Sequence, residues 1–406
     1  MTEKNIKPIL DYALGYQDAI VSFLQDLVRI RSVNGQDNEK AVAERIIIEG
    51  KKLELQSALI AKDPCRPNAV VRYGEGRKGF AVIAHIDTVA EGKHTDWTSP
   101  PFAAEIDESR MIGRGTADNK AGVAIGIYTI KILQELGLID PEKHCVLVAG
   151  VVDEESGASS PLGVRYLLDS GALKAQGAIY AYASDIVCIG HRGLLRLEIK
   201  TRGESVHAGL APWHNREVGE NAVMGLADIL TRIENLTIEA EQVAGFEHLG
   251  FTITPGTLFS GGDYASIVPN QAIAMVDIRL LPGQTKDEVL KQIYAVIEDV
   301  RKKRKKLKVS TSLLVDMPGA AIAMDHPLAM IAQDYTEAIY GRRWDIRGAG
   351  PGNEGYMLIG AGIPTLCGFG PTGGNAHAPD EWVDIESLSK TAAMFAGIIQ
   401  DYLTNV

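Results

Sequence analysis

Two histidines and five acidic residues stand where strands are predicted to end or loops to begin. They are His85, Asp87, Asp118, Glu154, Glu155, Asp185 and His377. Imidazole nitrogen and carboxylate oxygen both bind Zn²⁺, and a bridging carboxylate can hold two ions about 3.5–4 Å apart. Any one of these acids alone could be an ordinary surface carboxylate. Together they favour a divalent-metal site at the carboxyl edge of a sheet, where active sites of α/β proteins form.

Other kinds of catalysis have weaker signals. Two G-x-G-x-x-G matches, residues 74–79 and 350–355, leave a nucleotide-dependent oxidoreductase open. The first match joins two β-like runs and predicts a hairpin turn. The second precedes a helical stretch, but no acid follows about 20 residues on, where one would bind ribose. No G-x-S-x-G elbow or cysteine nucleophile signature is present, so serine and cysteine hydrolases lose support.

Alternating strands and helices must position these residues. Apolar residues at helical spacing predict two opening helices, around residues 20–30 and 41–47. A predicted helix and three β-rich runs follow. The runs are residues 68–73, 80–85 and 145–152, with the helix at 121–136. Runs that are apolar on both faces predict buried strands, so residues 1–191 are the first part of an α/β catalytic domain with a mainly parallel sheet.

The order of elements changes after His191. Residues 192–316 read β-α-β-β-α-β, which predicts an inserted ferredoxin-like α+β domain. The basic run RKKRKK (301–306) falls at the end of a predicted helix, where a solvated helix end competes with an anion site. Residues 317–406 then return to the α/β pattern and complete the catalytic domain.

Composition narrows the function classes. The chain has 406 residues, 46% hydrophobic and 23% charged, which is typical of globular proteins and excludes disorder. Its formal net charge of −11 disfavours nucleic acid and anionic membranes as partners. No apolar run approaches the roughly 20 residues that span a bilayer, so a cytoplasmic protein is expected. The four cysteines form no disulfide framework and are predicted to be buried thiols.

Several motifs make the chain resemble a known family, the zinc-dependent peptidases and deacylases that include acetylornithine deacetylase, succinyl-diaminopimelate desuccinylase and glutamate carboxypeptidase. The similarity runs nearly end to end and in the family's order. The matching segments are AHIDTV (84–89), GRGTADNKAGVA (113–124), DEESGA (153–158), GHRG (190–193), HAGLAP (207–212), VPNQAIAMVDIRLLPG (268–283) and AHAPDEW (376–382).

The resemblance implies two zinc ions per chain, with Co²⁺ or Mn²⁺ as substitutes. His85, Asp118 and an acid at the Asp185 position would bind one ion. Asp118, Glu155 and His377 would bind the other.

The chain departs from the family's usual sequence pattern at two places. Tyr182 occupies the position of the family's usual ligand glutamate, so the assignment passes to Asp185, and Gly350-Pro351-Gly352-Asn353 replaces the usual Gly-Gly-Ser/Thr-Asp stretch.

The resemblance also assigns roles around the metals. Asp87 would orient His85, and Glu154 would be the general base. His207 would enter the partner subunit's site and stabilise an oxyanion, although a surface histidine on a turn is the alternative. Arg279 and Asn270 would bind substrate, although an internal ion pair is the alternative for Arg279.

The sequence therefore predicts a homodimeric di-zinc amidohydrolase that hydrolyses an N-acyl-amino acid through a metal-bound water. The substrate carries a free carboxylate. A dipeptidase or carboxypeptidase acting on short peptides remains an alternative. A non-catalytic, metal-binding homologue is the alternative from another class.

Overall fold

The computed structural model describes residues 6–405. Its helices are α1 (Ile6–Leu14), α2 (Gln17–Arg29), α3 (Lys40–Lys52), α4 (Ala121–Glu135), α5 (Val164–Asp169), α6 (Ala211–His214), α7 (Ala222–Glu234), α8 (Lys286–Lys303), α9 (Pro327–Tyr340), α10 (Gly355–Gly360) and α11 (Ile385–Asn405).

The strands alternate with these helices. They are β1 (Gln56–Ile60), β2 (Asn68–Tyr73), β3 (Lys78–His85), β4 (Glu105–Asp107), β5 (Arg110–Ile112), β6 (His144–Val151), β7 (Gly177–Tyr180), β8 (Val187–His191), β9 (Gly193–Arg202), β10 (Thr252–Gly261), β11 (Gln271–Leu280), β12 (Lys308–Met317), β13 (Ala320–Ala321), β14 (Ile346–Ala349), β15 (Thr365–Cys367), β16 (Gly373–Gly374) and β17 (Trp382–Asp384).

The chain divides into two compact units. One ends at His191 and resumes at Ala321, and the other spans Arg192–Ala320. The first unit contains a six-stranded sheet of order β1-β2-β6-β3-β7-β15, in which β6, β3, β7 and β15 run parallel. The predicted α/β domain with a mainly parallel sheet is confirmed.

The parallel register sets up the site. His85, the last residue of β3, pairs with Val151, the last residue of β6. The loops that follow both strands therefore leave from the same edge of the sheet. The strand residues from Gly79 to His85 are all buried, because helices cover both faces. Helix α4 packs on β3 and β6 with almost all of its side chains buried.

The predicted hairpin at residues 74–79 is wrong. Strands β2 and β3 lie on opposite sides of β6 and do not pair with each other. The connecting segment instead crosses the start of β6, where the amide of Gly76 donates to the carbonyl of His144 at 3.2 Å. The sequence shows two adjacent strands but cannot show that a later strand inserts between them.

A small sheet of order β16-β17-β5-β4 carries two of the loops that matter for chemistry. Strand β5 precedes the irregular turn Thr116–Lys120, which contains Asp118. Strands β16 and β17 pair antiparallel and enclose residues 375–381, which contain His377. Trp382 of β17 pairs with Ile112 of β5, so the two loops start from neighbouring strands.

The second unit has the predicted order β-α-β-β-α-β. Its antiparallel sheet runs β10-β11-β9-β12. Apolar residues of α7 and α8 form one core with the inward-facing residues of β9 and β11. This confirms the ferredoxin-like domain. The basic run lies at the end of α8, where Arg301 pairs with Glu298 and Arg304 with Glu220, as expected for a helix end.

Two further predictions concern the cysteines and membrane-spanning segments. All four cysteines are free. Cys188 and Cys367 are buried as predicted, but Cys145 is only partly buried and Cys65 is exposed, so the prediction of buried thiols is wrong for Cys65 and only partly right for Cys145. Among residues 6–405, no helix combines the length and apolar character needed to cross a membrane. The cytoplasmic location stays a prediction.

Candidate active site

His85 is fully buried at the end of β3. Its Nδ1 lies 2.9 Å from the main-chain carbonyl of Asp87, and its Nε2 lies 2.7 Å from Oδ1 of Asp118. A carbonyl can only accept, so the hydrogen-bond network places a hydrogen on Nδ1 and directs Nε2 at an anionic oxygen. Burial lowers the pKa of His85, but the hydrogen bond with Asp118 and the negative charges of Asp118, Glu154 and Asp87 together outweigh it, and the net pKa is well above its usual value.

Asp118 lies between two histidines. Its Oδ2 is 3.2 Å from Nε2 of His377, while its Oδ1 faces His85. Burial acts to raise the pKa of Asp118. The hydrogen bonds and positive charges of the two imidazoles lower this pKa by a larger amount, so the carboxylate stays ionised. Asp118 has backbone angles outside the helical region and precedes a cis peptide bond to Asn119. The carboxylate that the sequence assigned as the bridge thus contacts one histidine with each oxygen.

Glu155 completes the group of donors. Its Oε1 lies 3.1 Å from Nε2 of His377. One ligand atom each from His85, Asp118 and Glu155 lies within 4.8 Å of the others. Hydrogen bonds to Asp118 and Glu155 outweigh partial burial and raise the pKa of His377 to about 10. Such a pKa describes an imidazole surrounded by carboxylates, which is also the environment that attracts a cation.

Glu154 is buried beside this group. Only 7% of it is exposed. Burial raises its pKa to about 8, and the negative charges of Glu155 and Asp118 add to this although His85 opposes it. Glu154 is not among the donor atoms that group together. A buried carboxyl next to metal-binding residues, but outside their set, suits proton transfer.

Asp87 organises the turn that carries both glutamates. Its carboxylate accepts the amides of Glu154 (3.3 Å) and Glu155 (3.0 Å), and Nδ2 of Asn34 (2.7 Å). Its Oδ1 is 3.7 Å from Nδ1 of His85, so the closer contact to that ring comes from its main-chain carbonyl. Asn34 also donates to Asp153 at 2.9 Å. Sequence reasoning missed Asn34, which belongs to a polar loop with no motif of its own.

Asp185 is exposed on the segment that precedes β8. Its carboxylate is not in the donor group found among the described residues. The ring of Tyr182 instead lies beside His85, with centroids 5.6 Å apart, and stacks on Tyr180 at 5.5 Å. The ligand role of Asp185 stays a prediction.

Another buried acid lies near the site. Glu354 is fully buried, and its Oε2 accepts a 3.3 Å hydrogen bond from the hydroxyl of Tyr180. Its Oε1 has no hydrogen-bond partner among residues 6–405. Burial raises its pKa well above the usual range, and the charges of Glu154 and Asp87 act in the same direction. Residues 350–353 are unusual in the sequence, but no sequence signal marked Glu354, which follows them directly.

The remaining predicted residues belong to the second unit. His207 is exposed, and its Nδ1 accepts the amide of Gly209 at 3.1 Å, so Nε2 carries the hydrogen. Asn270 is exposed. Arg279 donates to both carboxylate oxygens of Asp277, at 2.7 and 3.2 Å. This is the internal ion pair that the sequence left as an alternative. It does not test the substrate-binding role.

Comparisons with known proteins show which family the chain belongs to. Residues 81–401 match the family described as Peptidase family M20/M25/M40. The chain is 30% identical to the uncharacterized protein YgeY of Escherichia coli (strain K12), over 98% of this chain and 99% of that protein. It is 27% identical to a probable succinyl-diaminopimelate desuccinylase of Staphylococcus epidermidis, over 66% of this chain and 69% of that protein.

A solved structure shows the same fold. The YXEP protein of Bacillus subtilis, described as a dinuclear metal binding peptidase from the M20 family, superposes with a TM-score of 0.72. The match covers 97% of this chain and 99% of that chain at 17% sequence identity. The family match spans most of the chain and includes every residue of the donor group. The chain therefore belongs to peptidase family M20/M25/M40 and is a metal-dependent hydrolase of amide or peptide bonds.

Proposed function

We propose that this protein is a di-zinc amidohydrolase that removes the acyl group from an N-acyl-amino acid. The observation that carries the proposal is the position of Asp118, whose two oxygens face Nε2 of His85 at 2.7 Å and Nε2 of His377 at 3.2 Å. The similarity to a desuccinylase and to a peptidase described as dinuclear supports it.

The donor set fits two divalent cations. Nε2 of His85 faces a carboxylate while Nδ1 is occupied by a carbonyl, which is how a ligand imidazole is normally held. His85 and Asp118 would hold one cation, with Asp185 as the third ligand implied by resemblance. Asp118, Glu155 and His377 would hold the other. Nitrogen and carboxylate donors suit Zn²⁺, and Co²⁺ or Mn²⁺ could substitute.

Glu154 performs the proton transfers in this proposal. The bound cations would supply a water acidic enough to attack at neutral pH and would polarise the substrate carbonyl. Glu154 accepts the proton of the attacking water and delivers it to the leaving amine nitrogen. Its burial makes it a stronger base than an exposed carboxylate. By resemblance, His207 would serve the partner subunit's site and offer its Nε2 hydrogen to the carbonyl oxygen as negative charge develops there.

Arg279 and Asn270 would recognise the free carboxylate of the substrate. A guanidinium can offer two parallel hydrogen bonds to a carboxylate, which Arg279 already does with Asp277. A substrate would have to share this guanidinium with Asp277. A second candidate function is hydrolysis of short peptides by a dipeptidase or carboxypeptidase, which the description of the Bacillus subtilis structure as a peptidase favours.

We further propose a homodimer formed through the second unit. Strand β10 is an edge strand, with one side unpaired within the described sheet. Large apolar residues on or near it are exposed. They are Met224, Leu258, Phe259, Tyr264 and Ile267. An exposed apolar edge strand is a common place for two chains to associate. His207 would then serve the partner subunit's site.

An activity screen tests the proposed reaction. The zinc-loaded protein is assayed against acylated amino acids and against dipeptides. We expect acyl-amino acids to give the higher kcat/KM. A preference for dipeptides would establish the second candidate, and no hydrolysis of any amide with zinc, cobalt or manganese would refute both.

Mixing two inactive variants tests the sharing of His207. Glu154→Gln and His207→Ala should regain activity together, because one site of each hybrid dimer keeps both residues. Random exchange makes about half of the dimers hybrid, each with one working site of two, so recovery should approach about a quarter of wild-type activity. Mixtures that stay inactive after confirmed exchange, or a fully active monomer, would remove the sharing claim.

A further inference from the structure

Glu381 is a fully buried carboxylate that the reaction does not use directly. Its Oε1 accepts three main-chain amides, from Gly115 (3.1 Å), Ala117 (2.9 Å) and Asp118 (2.9 Å). Its Oε2 accepts Nη1 of Arg114 at 2.6 Å. One side chain therefore accepts three main-chain amides in and directly before the turn that presents Asp118.

The irregular turn uses a side chain as its acceptor. Asp118 and Asn119 lie outside helical geometry, and the amides of Gly115, Ala117 and Asp118 donate to Glu381. Buried amides that lose their acceptor cannot replace it with water, so removing the acceptor destabilises the turn. Arg114 is 1% exposed and its guanidinium lies over the ring of Trp97, so it too depends on the charge of Glu381.

Glu381 also belongs to the loop that carries His377. Residues 375–381 connect β16 to β17, and the main-chain carbonyl of Glu381 accepts the amide of Gly113 at 2.8 Å. The same residue thus joins the His377 loop to the Asp118 turn by main-chain and side-chain bonds. The 3.2 Å approach of His377 to Asp118 lies between these two connected segments.

We infer that Glu381, paired with Arg114, is a positioning residue that fixes Asp118 relative to His377 and so sets the affinity of the site for divalent cations. The inference rests on the proposed metal pair. Loss of a group that orients a ligand typically weakens metal binding by 10–100-fold. Glu381 is assigned no contact with substrate or metal, so replacing it should act by changing the positions of the metal ligands.

Glu381→Gln is the main variant for the test. The amide group keeps the size of the side chain but places a donor against either Arg114 or the three amides. Thr98→Val is the matched control, because it removes a hydroxyl bond to Asp380 in the same loop (3.0 Å) and leaves Glu381 intact. The full-length proteins are stripped of metal, and Co²⁺ binding is measured by calorimetry. Hydrogen exchange of the peptide 113–120 is measured on the metal-free proteins.

We expect Glu381→Gln to weaken Co²⁺ binding by about 10–100-fold and to lose protection in that peptide, while Thr98→Val stays within about twofold of wild type. If the Gln variant does not fold, Glu381→Asp replaces it, since it keeps the charge but withdraws the carboxylate by one methylene. Wild-type affinity in the folded variant would overturn the inference. Wild-type protein that binds no Co²⁺ would overturn the proposed metal site itself, and this inference with it.

Discussion

Replacing Glu154 by glutamine separates proton transfer from metal binding. Glutamine has the shape of glutamate, and the main-chain amide of residue 154 still bonds to Asp87. Glu154 lies outside the donor group, so both metals should stay bound. General acid–base catalysis contributes about 10²–10⁴-fold, or roughly 3–5 kcal/mol at 1.36 kcal/mol per tenfold. We expect kcat to fall by that factor with KM changed by less than about threefold.

The neighbouring residue supplies the control for this experiment. Glu155→Gln has the same chemical change one position later, but it removes a donor that contacts His377. Metal analysis and steady-state kinetics on both variants should show metal retained without turnover for Glu154→Gln, and metal lost for Glu155→Gln. Near-normal kcat in the metal-loaded Glu154→Gln protein would mean that another group is the base. Loss of metal from that variant would mean that Glu154 is a ligand.

Three more predictions concern Asp118, Arg279 and the pH dependence of thermal stability. Asp118→Ala should lose both metals together by elemental analysis, because one carboxylate serves both histidines; retention of one ion would show that it does not bridge. Arg279→Lys should raise KM for carboxylate substrates but hardly change it for an uncharged amide analogue, and an equal loss for both would indicate a structural role. The metal-free protein should lose thermal stability as pH rises from about 6.5 towards 10. His85 and His377 have raised pKa values when folded, so their contribution is complete below the unfolded value of about 6.5 and disappears above the folded one. Lys120 acts in the opposite direction, because burial lowers its pKa to about 7, but it is one group against two histidines. Melting temperatures that rise over this range would contradict the assignment.

Local patterns predicted much of the fold. The strand at 80–85, the helix at 121–136 and the β-α-β-β-α-β order after His191 were readable because apolar residues repeat at the period of each element. The pairing of strands that are distant in the sequence could not be predicted. Nothing near residues 74–79 indicates that β6 inserts between β2 and β3, because strand order depends on contacts between distant segments.

The candidate site also contains residues that the sequence predicted and residues that it did not. His85, Asp118, Glu155 and His377 were predicted because they sit at junctions and in motifs, and the fold brings their donor atoms together. The family match also removes the oxidoreductase alternative that the glycine-rich segments raised. Groups that act through hydrogen bonds were missed. Asn34 stands in a polar loop without a motif, and Glu354 stands in a glycine-rich segment that drew attention only as a nucleotide-binding pattern. Only the three-dimensional arrangement shows which carboxyls these two residues adjoin.

The buried charges around the site explain why this arrangement needs a cation. Asp87, Glu154 and Glu354 are all buried at one edge of the sheet, and desolvation raises the pKa of both glutamates. The buried cations nearby are committed elsewhere. Nζ of Lys120 donates to the carbonyls of Leu27 and Ile30, and burial lowers its pKa to about 7, while Arg114 is paired with Glu381. In the metal-free chain, the positive charge that offsets the acids of the donor group therefore comes from the protonated imidazoles of His85 and His377. Divalent cations that bind only the folded chain would take over that role, so we expect metal binding and folding stability to be coupled at this site.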